Sequence, residues 1–304
     1  MSTTADKPAG AAAAGSVRGK ARGGESSPKS MIFLSLLWLS LFIAMTFLVV
    51  LIATIVIDGY ARLGSDLLTQ YSSSNPRRAG ARAAILGSLW VIVTTALIAI
   101  PLGVAAAVHL EEFADRNNRV NRLIELNIQN LAAVPSVVYG LLTLGVLGLI
   151  GVQNKNIVLA AAMALALLIL PVIIIATREA LRAVPMEIRQ GSLALGATPV
   201  QTLFRQTLPS ATPGIATGSI LALSRAMGEA APLLLLGALV FVSFDPNGLL
   251  SGHTTLPIQI FSWSSRPQAE FHTLAAAASL VLLVLLLAMN ALAIAIRNRY
   301  QRRW

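Results

Sequence analysis

Six apolar runs, each 20 to 28 residues long, make up about half of this 304-residue chain and limit the folds that it can adopt. A helix rises about 1.5 Å per residue, so each run is long enough to cross the hydrocarbon core of a bilayer, about 30 Å thick. We therefore predict an all-α integral membrane protein with six transmembrane helices. The predicted spans are residues 31–57, 83–108, 131–152, 157–176, 215–242 and 274–296.

Composition supports this class and excludes several chemistries. The chain is 56% hydrophobic and only 12% charged, and it contains no cysteine. Disulfides, thiolate nucleophiles, iron–sulfur clusters and cysteine zinc sites are therefore excluded. Residues 1–30 are rich in Ala, Gly, Ser, Lys and Arg, which predicts a disordered basic tail ahead of a six-span transmembrane domain over 31–304.

The basic residues indicate how the chain is oriented. The net charge is +10, but the 23 lysines and arginines are scattered between the apolar runs instead of forming one stripe that would fit nucleic acid. In a six-span arrangement sixteen of them lie on the side of the two termini and six on the other side, with Arg225 inside a span. Because basic residues favour the cytoplasmic side, we predict that both termini are cytoplasmic in the cell (inner) membrane.

Two charges interrupt the apolar run 215–242. Charges near a bilayer midplane are unfavourable by roughly 2.5 to 3.5 kcal/mol each, so they normally face a partner, a cavity or a transported ion. Arg225 and Glu229 are four residues apart, which on a continuous helix places them on one face, with the small residues Gly218 and Ala222. Two interpretations remain open: a structural ion pair, or part of a substrate pathway.

The 38-residue loop over 177–214 is the second informative segment. It is too long for a simple helix connection and too apolar for a solvated linker. Helix signals divide it: a first short helix is predicted at 186–195, and Gly196 stops it. Thr198 and Gln201 form a capping box that opens a second helix, with proline at its first position.

The second helix is predicted to be amphipathic and to end at Pro209. Its apolar face consists of Val200, Leu203, Phe204 and Leu208. Such a helix suits either the lipid headgroup region or a groove on a soluble subunit.

At this loop the sequence resembles the permease subunits of bacterial ABC importers. Their cytoplasmic EAA loop has a glycine followed thirteen residues later by the proline of a Leu-Pro pair, a spacing kept here by Gly196 and Leu208-Pro209. The acidic-Ala-Ala opening of that motif is replaced by Gln190, Gly191 and Ser192. Further stretches resemble the PstA-type permeases of phosphate importers: VPSVVYGLL at 134–142, EALRAVP at 179–185, LALGAT at 193–198, LSRAMGEAAPLL at 223–234 and LPIQIFSW at 256–263.

This resemblance implies a type I ABC importer permease fold and a transport subunit that is not itself an enzyme. It implies a PstC-type permease partner, a PstB-type ATPase dimer that binds ATP and magnesium, and a PstS-type phosphate-binding protein outside. This chain would bind no cofactor or metal itself. The EAA loop would supply a cytoplasmic coupling helix, and the residues expected at the ATPase contact are Gln190, Gly191, Ser192, Gly196, Ala197, Thr198, Leu208 and Pro209. Arg225 and Glu229 would lie on the phosphate pathway.

A chain of this class could serve three other functions. An ion-coupled secondary transporter typically has an internal repeat and broken helices, and no such repeat is visible. An intramembrane enzyme needs a catalytic constellation within the spans, whereas Glu229 is the only acid well inside one. A permease for another oxyanion, such as sulfate, molybdate or phosphonate, remains open because these anions present similar oxygens.

Overall fold

A computed structural model describes residues 28–115, 118–237 and 241–300. Over these ranges the chain is helical, which confirms the all-α prediction. The helices are α1 (Pro28–Gly59), α2 (Ser65–Thr69), α3 (Arg82–Val108), α4 (Arg119–Ala132), α5 (Ser136–Leu149), α6 (Val158–Arg182), α7 (Met186–Ala194), α8 (Pro199–Thr202), α9 (Leu208–Met227), α10 (Ala231–Leu235), α11 (Leu256–Ser264) and α12 (Ala269–Tyr300). Shorter helical turns lie at Tyr60–Arg62, His109–Phe113 and Leu203–Thr207, the last two of π type.

Among the described residues, four helices, α1, α3, α6 and α12, are long and apolar enough to cross a membrane. The pair α4 and α5, bent by 111° at the break between them, would make a fifth if it is a single span. The predicted span 215–242 is not one continuous helix, because α9 ends at Met227 and only the short α10 follows. Six spans therefore stay a prediction.

The chain divides into two compact units between Leu51 and Ile52. In the first, the described part of α1 is an apolar helix whose side chains are exposed on every face from Met31 to Leu51. A helix that is apolar all round suits a hydrocarbon environment or a partner helix. Residues 1–27 of the predicted tail lie outside the described residues, and 28–30 belong to α1.

The core of the second unit is built around α6, which packs most extensively against α3 and α9. Small residues allow this close packing. A Cβ atom at Gly103 of α3 would lie 2.6 Å from Ile173 of α6, and a Cβ at Gly214 of α9 would lie 2.7 Å from the Cβ of Ala180. Small residues at such crossings let helix backbones approach closely and gain van der Waals contact.

The prediction that Pro209 ends a helix is wrong. Helical backbone runs from Pro199 through the π-turn Leu203–Thr207 into α9, and Pro209 lies in the first turn of α9. Proline has no N–H to donate and its ring crowds the carbonyl four residues earlier. The wider π-turn just before it relieves this conflict, so the helix continues.

Candidate functional site

Arg225 lies in the last turn of α9, and Glu229 follows the end of that helix. Gly228 closes α9: its N–H donates to the Arg225 carbonyl oxygen (3.2 Å), and the Glu229 N–H donates to that of Ala226 (3.2 Å). The predicted helical face shared by the two charges is therefore interrupted, because the helix stops between them. Their side chains still approach, with 3.8 Å between Arg225 Nε and Glu229 Oε1.

This ion pair is loose. A distance of 3.8 Å exceeds that of a hydrogen bond, so the guanidinium and the carboxylate both keep their capacity to bond elsewhere. The Arg225 side chain is 50% exposed, whereas that of Glu229 is 21% exposed. The described part of the chain thus encloses the carboxylate but leaves the guanidinium open.

Two neighbouring helices hold α9 in place. Gly218 packs on α6 so closely that an added Cβ would lie 2.4 Å from the Cβ of Ala176. On the α12 side, Ser224 Oγ donates a hydrogen bond to Asn290 Oδ1 (2.5 Å). The predicted close approach of a helix at Gly218 is therefore made by α6 of the same chain.

Arg225 shares its exposed face with Leu221, one turn earlier, whose side chain is 65% exposed. Behind this face Glu229 lines a narrow cavity of about 10 Å³ together with Ser88 and Thr255. That volume is about one water-sized sphere, so an oxyanion does not fit inside the cavity. An anion that met this pair would bind on the exposed side, at Arg225.

The EAA-type loop has the local structure that its sequence predicts. The first helix ends at Ala194, and Gly196 adopts a positive φ of +85°. The capping box is confirmed: Gln201 N–H donates to Thr198 Oγ1 (3.3 Å), and Thr198 N–H donates to Gln201 Oε1 (3.0 Å). Ser192 Oγ and Thr202 Oγ1, 2.9 Å apart, tie the two helices together.

The remaining loop residues are divided between surface and interior. Gln190, Gly191 and Pro209 are exposed, whereas Ala197 and Leu208 are half-buried. The predicted apolar face of the second helix is split, since Leu203 is buried and Val200 and Phe204 are exposed. The reason is that the helix continues into α9 and turns one side toward its own chain.

A groove of about 390 Å³ opens between the two helices of the loop. Leu195, at its rim, is 91% exposed, and no side chain approaches within 4 Å of the Cβ position of Gly191. This leaves a large apolar side chain uncovered beside the groove. The loop thus offers a groove with an uncovered apolar rim.

Sequence reasoning missed a cluster of charges behind this loop. Glu111, in the π-turn after α3, has a 2% exposed side chain and receives hydrogen bonds from Arg178 Nε (3.2 Å) and Arg182 Nε (3.0 Å) of α6. Its neighbour Glu112 forms an ion pair of 2.7 Å with Arg189 on α7. The cluster therefore connects α3, α6 and the loop at one end of the bundle.

A signal for this cluster was present in the sequence. Glu111 and Glu112 lie three and four residues beyond the predicted span 83–108, and Arg178 and Arg182 follow the span 157–176 one turn apart. In the predicted six-span arrangement the ends of the spans 83–108 and 157–176 lie on the same, cytoplasmic side, where complementary charges can form an ion pair.

No group of three or more His, Asp or Glu side chains that could hold a metal ion occurs in the ranges that the structure describes. His253 is fully buried, and neither of its ring nitrogens has a hydrogen-bond partner among those residues. Burial lowers the pKa of this imidazole to about 4. His253 is therefore neutral at physiological pH.

Comparison with known proteins identifies the family. Residues 99–304 match the model of the "Binding-protein-dependent transport system inner membrane component" family. The probable ABC transporter permease protein YqgI of Bacillus subtilis (strain 168) is 33% identical over 258 residues, which cover 80% of this chain and 86% of the relative. The phosphate transport system permease protein PstA 1 of Mycobacterium tuberculosis (strain ATCC 25618 / H37Rv) is 33% identical over 225 residues, which cover 74% of this chain and 71% of the relative.

Solved structures agree on the fold. A bacterial alginate ABC transporter, in complex with its alginate-bound periplasmic protein, has a chain that superposes with a TM-score of 0.67 at 16% identity, covering 89% of this chain and 95% of that one. A chain of the inward-facing MetNI methionine ABC transporter has a TM-score of 0.58 at 19% identity, and the match covers 71% of this chain and 94% of that one. The chain therefore belongs to the family of binding-protein-dependent transport system inner membrane components, the permease subunits of ABC transporters.

Proposed function

We propose that this chain is the permease subunit of an ATP-driven importer that moves inorganic phosphate across the cell membrane. The five motif stretches that resemble PstA-type permeases support this choice of substrate, as do relatives named phosphate transport system permeases. One of these, from Haemophilus influenzae, is 29% identical over 260 residues. Both termini would be cytoplasmic, as the distribution of basic residues predicts.

The open guanidinium of Arg225 is the observation that carries the proposal. Arginine stays charged at any physiological pH and presents a fork of donors that matches the oxygens of phosphate. Arg225 is half exposed on a helix otherwise packed against α6 and α12, so its donors are directed to a partner or a substrate. Glu229 moderates the positive charge, and a transport site must release what it binds.

The EAA-type loop would dock on the ATPase. Its groove and the uncovered Leu195 suit an apolar insertion or contact, and α9 links the loop directly to Arg225. We expect a PstB-type ATPase dimer, with ATP and magnesium, at this loop. A PstC-type permease would complete the pathway beside α9, and a PstS-type phosphate-binding protein would deliver the anion from outside.

Reconstitution of the chain with candidate partners in liposomes tests the substrate. We expect uptake of labelled phosphate that requires ATP and that excess sulfate does not inhibit. Uptake without ATP, or uptake of sulfate in preference to phosphate, would contradict the proposal.

The variant Arg225→Ala tests the pathway. We expect it to assemble normally and to abolish phosphate uptake, while Leu221→Ala, on the same exposed face, leaves uptake nearly unchanged. The exchange variant Arg225→Glu/Glu229→Arg tests the alternative of a purely structural pair. Normal uptake by either charge variant would show that Arg225 does not contact phosphate.

A further inference from the structure

Arg225 and Glu229 present hydrogen-bond donors and acceptors side by side, and neither uses them within the described part of the chain. Arg225 Nε and Glu229 Oε1 are 3.8 Å apart, and neither side chain forms a hydrogen bond with any other described residue. Tyr139, which interacts electrostatically with Arg225, donates its hydroxyl hydrogen to the Leu131 carbonyl oxygen (2.6 Å). The free functions at the site are therefore a guanidinium fork and an acceptor-only carboxylate.

Phosphate and sulfate differ in whether they carry a proton that such a carboxylate can bind through a hydrogen bond. Phosphate keeps at least one proton at neutral pH, so it accepts hydrogen bonds and also donates one. Sulfate is fully deprotonated and only accepts. Arg225 can donate to either anion, but a carboxylate can bond only to the protonated one, and it repels an oxygen that carries no hydrogen.

The covered position of Glu229 fits this role. Its backbone is fixed by the turn that closes α9, and its side chain is largely enclosed along the cavity shared with Ser88 and Thr255. A carboxylate whose movement is restricted by its surroundings discriminates better than a freely moving one, because it adjusts less readily to an unfavourable oxygen. Arg225, half exposed, can adjust to the anion that arrives.

We infer that Glu229 is a specificity-determining residue that accepts a hydrogen bond from the proton of phosphate and thereby disfavours sulfate. This inference rests on the proposed function, in which Arg225 contacts the anion. One charged hydrogen bond corresponds to a preference of about 10- to 100-fold.

Because the chain contains no cysteine, a single introduced thiol can report binding at the site. Leu221→Cys places that thiol one helical turn before Arg225, on the exposed face. In the assembled complex, protection of this thiol from an anionic thiol reagent is titrated with sodium phosphate and with sodium sulfate at constant ionic strength. The labelled chain is then separated from its partners by electrophoresis.

We expect phosphate to protect at a concentration about 10-fold or more below that of sulfate. Adding Glu229→Gln should bring the two concentrations together, because an amide both donates and accepts. Glu270→Gln, which neutralises an exposed acid at the start of α12, is the matched control and should leave the ratio unchanged. An unchanged ratio in Glu229→Gln, or no preference before that change, overturns the inference.

A second measurement needs no further variant and covers the case in which Glu229→Gln does not assemble. Arsenate is protonated like phosphate, and selenate is unprotonated like sulfate. Arsenate should protect as phosphate does, and selenate as sulfate does; arsenate protecting no better than sulfate overturns the inference. Failure of the proposed function gives a different result. Phosphate would then protect the Leu221→Cys thiol equally well when Arg225→Ala is added, or it would protect the thiol neither with nor without Arg225→Ala.

Discussion

The contact between Gly218 of α9 and Ala176 of α6 sets how closely the helix that carries Arg225 approaches the core. A Cβ at position 218 would lie 2.4 Å from the Cβ of Ala176, and the next nearest Ala176 atom would be 3.7 Å away. Carbon atoms in good contact are about 3.5 to 4.0 Å apart. Gly218→Ala must therefore move α9 away from α6 by roughly 1 Å at this point.

The size of the effect follows from two opposing contributions. Overpacking of this kind destabilises a core by about 1 to 3 kcal/mol, whereas replacing Gly by Ala inside a helix stabilises the helix by about 1 kcal/mol. The single variant is thus expected to be up to about 2 kcal/mol less stable. Ala176→Gly in the same chain removes the clash, because the atoms that remain are at ordinary contact distance.

A double-mutant cycle separates the steric contribution, since the propensity changes at the two positions occur in the singles and in the double variant alike. The double variant Ala176→Gly/Gly218→Ala should be more stable than the sum of the singles by about 1 to 3 kcal/mol, or roughly 2 to 12 °C in apparent melting temperature. The assay is the fraction of the complex that remains monodisperse after heating, with phosphate uptake measured in parallel. Gly145→Ala, at an open position of α5, is the control.

The reasoning would be refuted if the stability change of the double variant equalled the sum of the two single-variant changes within about 0.5 kcal/mol. Such additivity would mean that α6 and α9 are not in contact at these residues. Uptake should fall in Gly218→Ala and recover in the double variant, since the displaced helix carries Arg225. Loss of uptake that persists in the double variant would show that Gly218 acts through something other than this contact.

Three further predictions concern the Glu112–Arg189 ion pair, the turn at Gly196 and the buried His253. Glu112→Gln removes the ion pair with Arg189 and should lower the phosphate transported per ATP hydrolysed without reducing assembly; an unchanged ratio contradicts it. Gly196→Ala should destabilise the chain by about 1 to 2 kcal/mol because φ is +85°, whereas Gly191→Ala, in open helix, should not; equal melting temperatures contradict it. Stability should fall by about 3 kcal/mol as the pH drops from 6.5 to about 4, since the unfolded state protonates His253 first. Melting temperatures against pH test this, and an equal fall in His253→Leu contradicts it.

Features that depend on a few consecutive residues could be predicted from sequence. The helix at 186–195, the stop at Gly196 and the capping box of Thr198 and Gln201 all appear in the structure. Each is decided by hydrogen bonds or backbone angles within about four residues, so the neighbouring side chains carry the information. The all-α class follows equally directly, because apolar backbone in a membrane must satisfy its hydrogen bonds within the segment.

The course of the helix through Pro209 could not be predicted in this way. Proline is a helix stop in isolation, but here a π-turn and the packing of α9 on α6 keep the helix continuous. In the same way, the spacing of Arg225 and Glu229 predicts a shared face only if the helix continues past Gly228, where it ends. The pair is consequently looser and more open than an ideal i, i+4 ion pair.

The sequence by itself determined the class of protein, its apolar segments and the residue types at the proposed site. Local periodicity, charge and hydropathy are properties of short stretches, and they constrain folding before any long-range contact forms. Only the tertiary structure decided which charges meet, because Glu111 and Arg178 are 67 positions apart and their pairing depends on how α3 packs against α6. It also decided that Arg225 is open and Glu229 enclosed, since exposure depends on the surrounding helices and not on the residue itself.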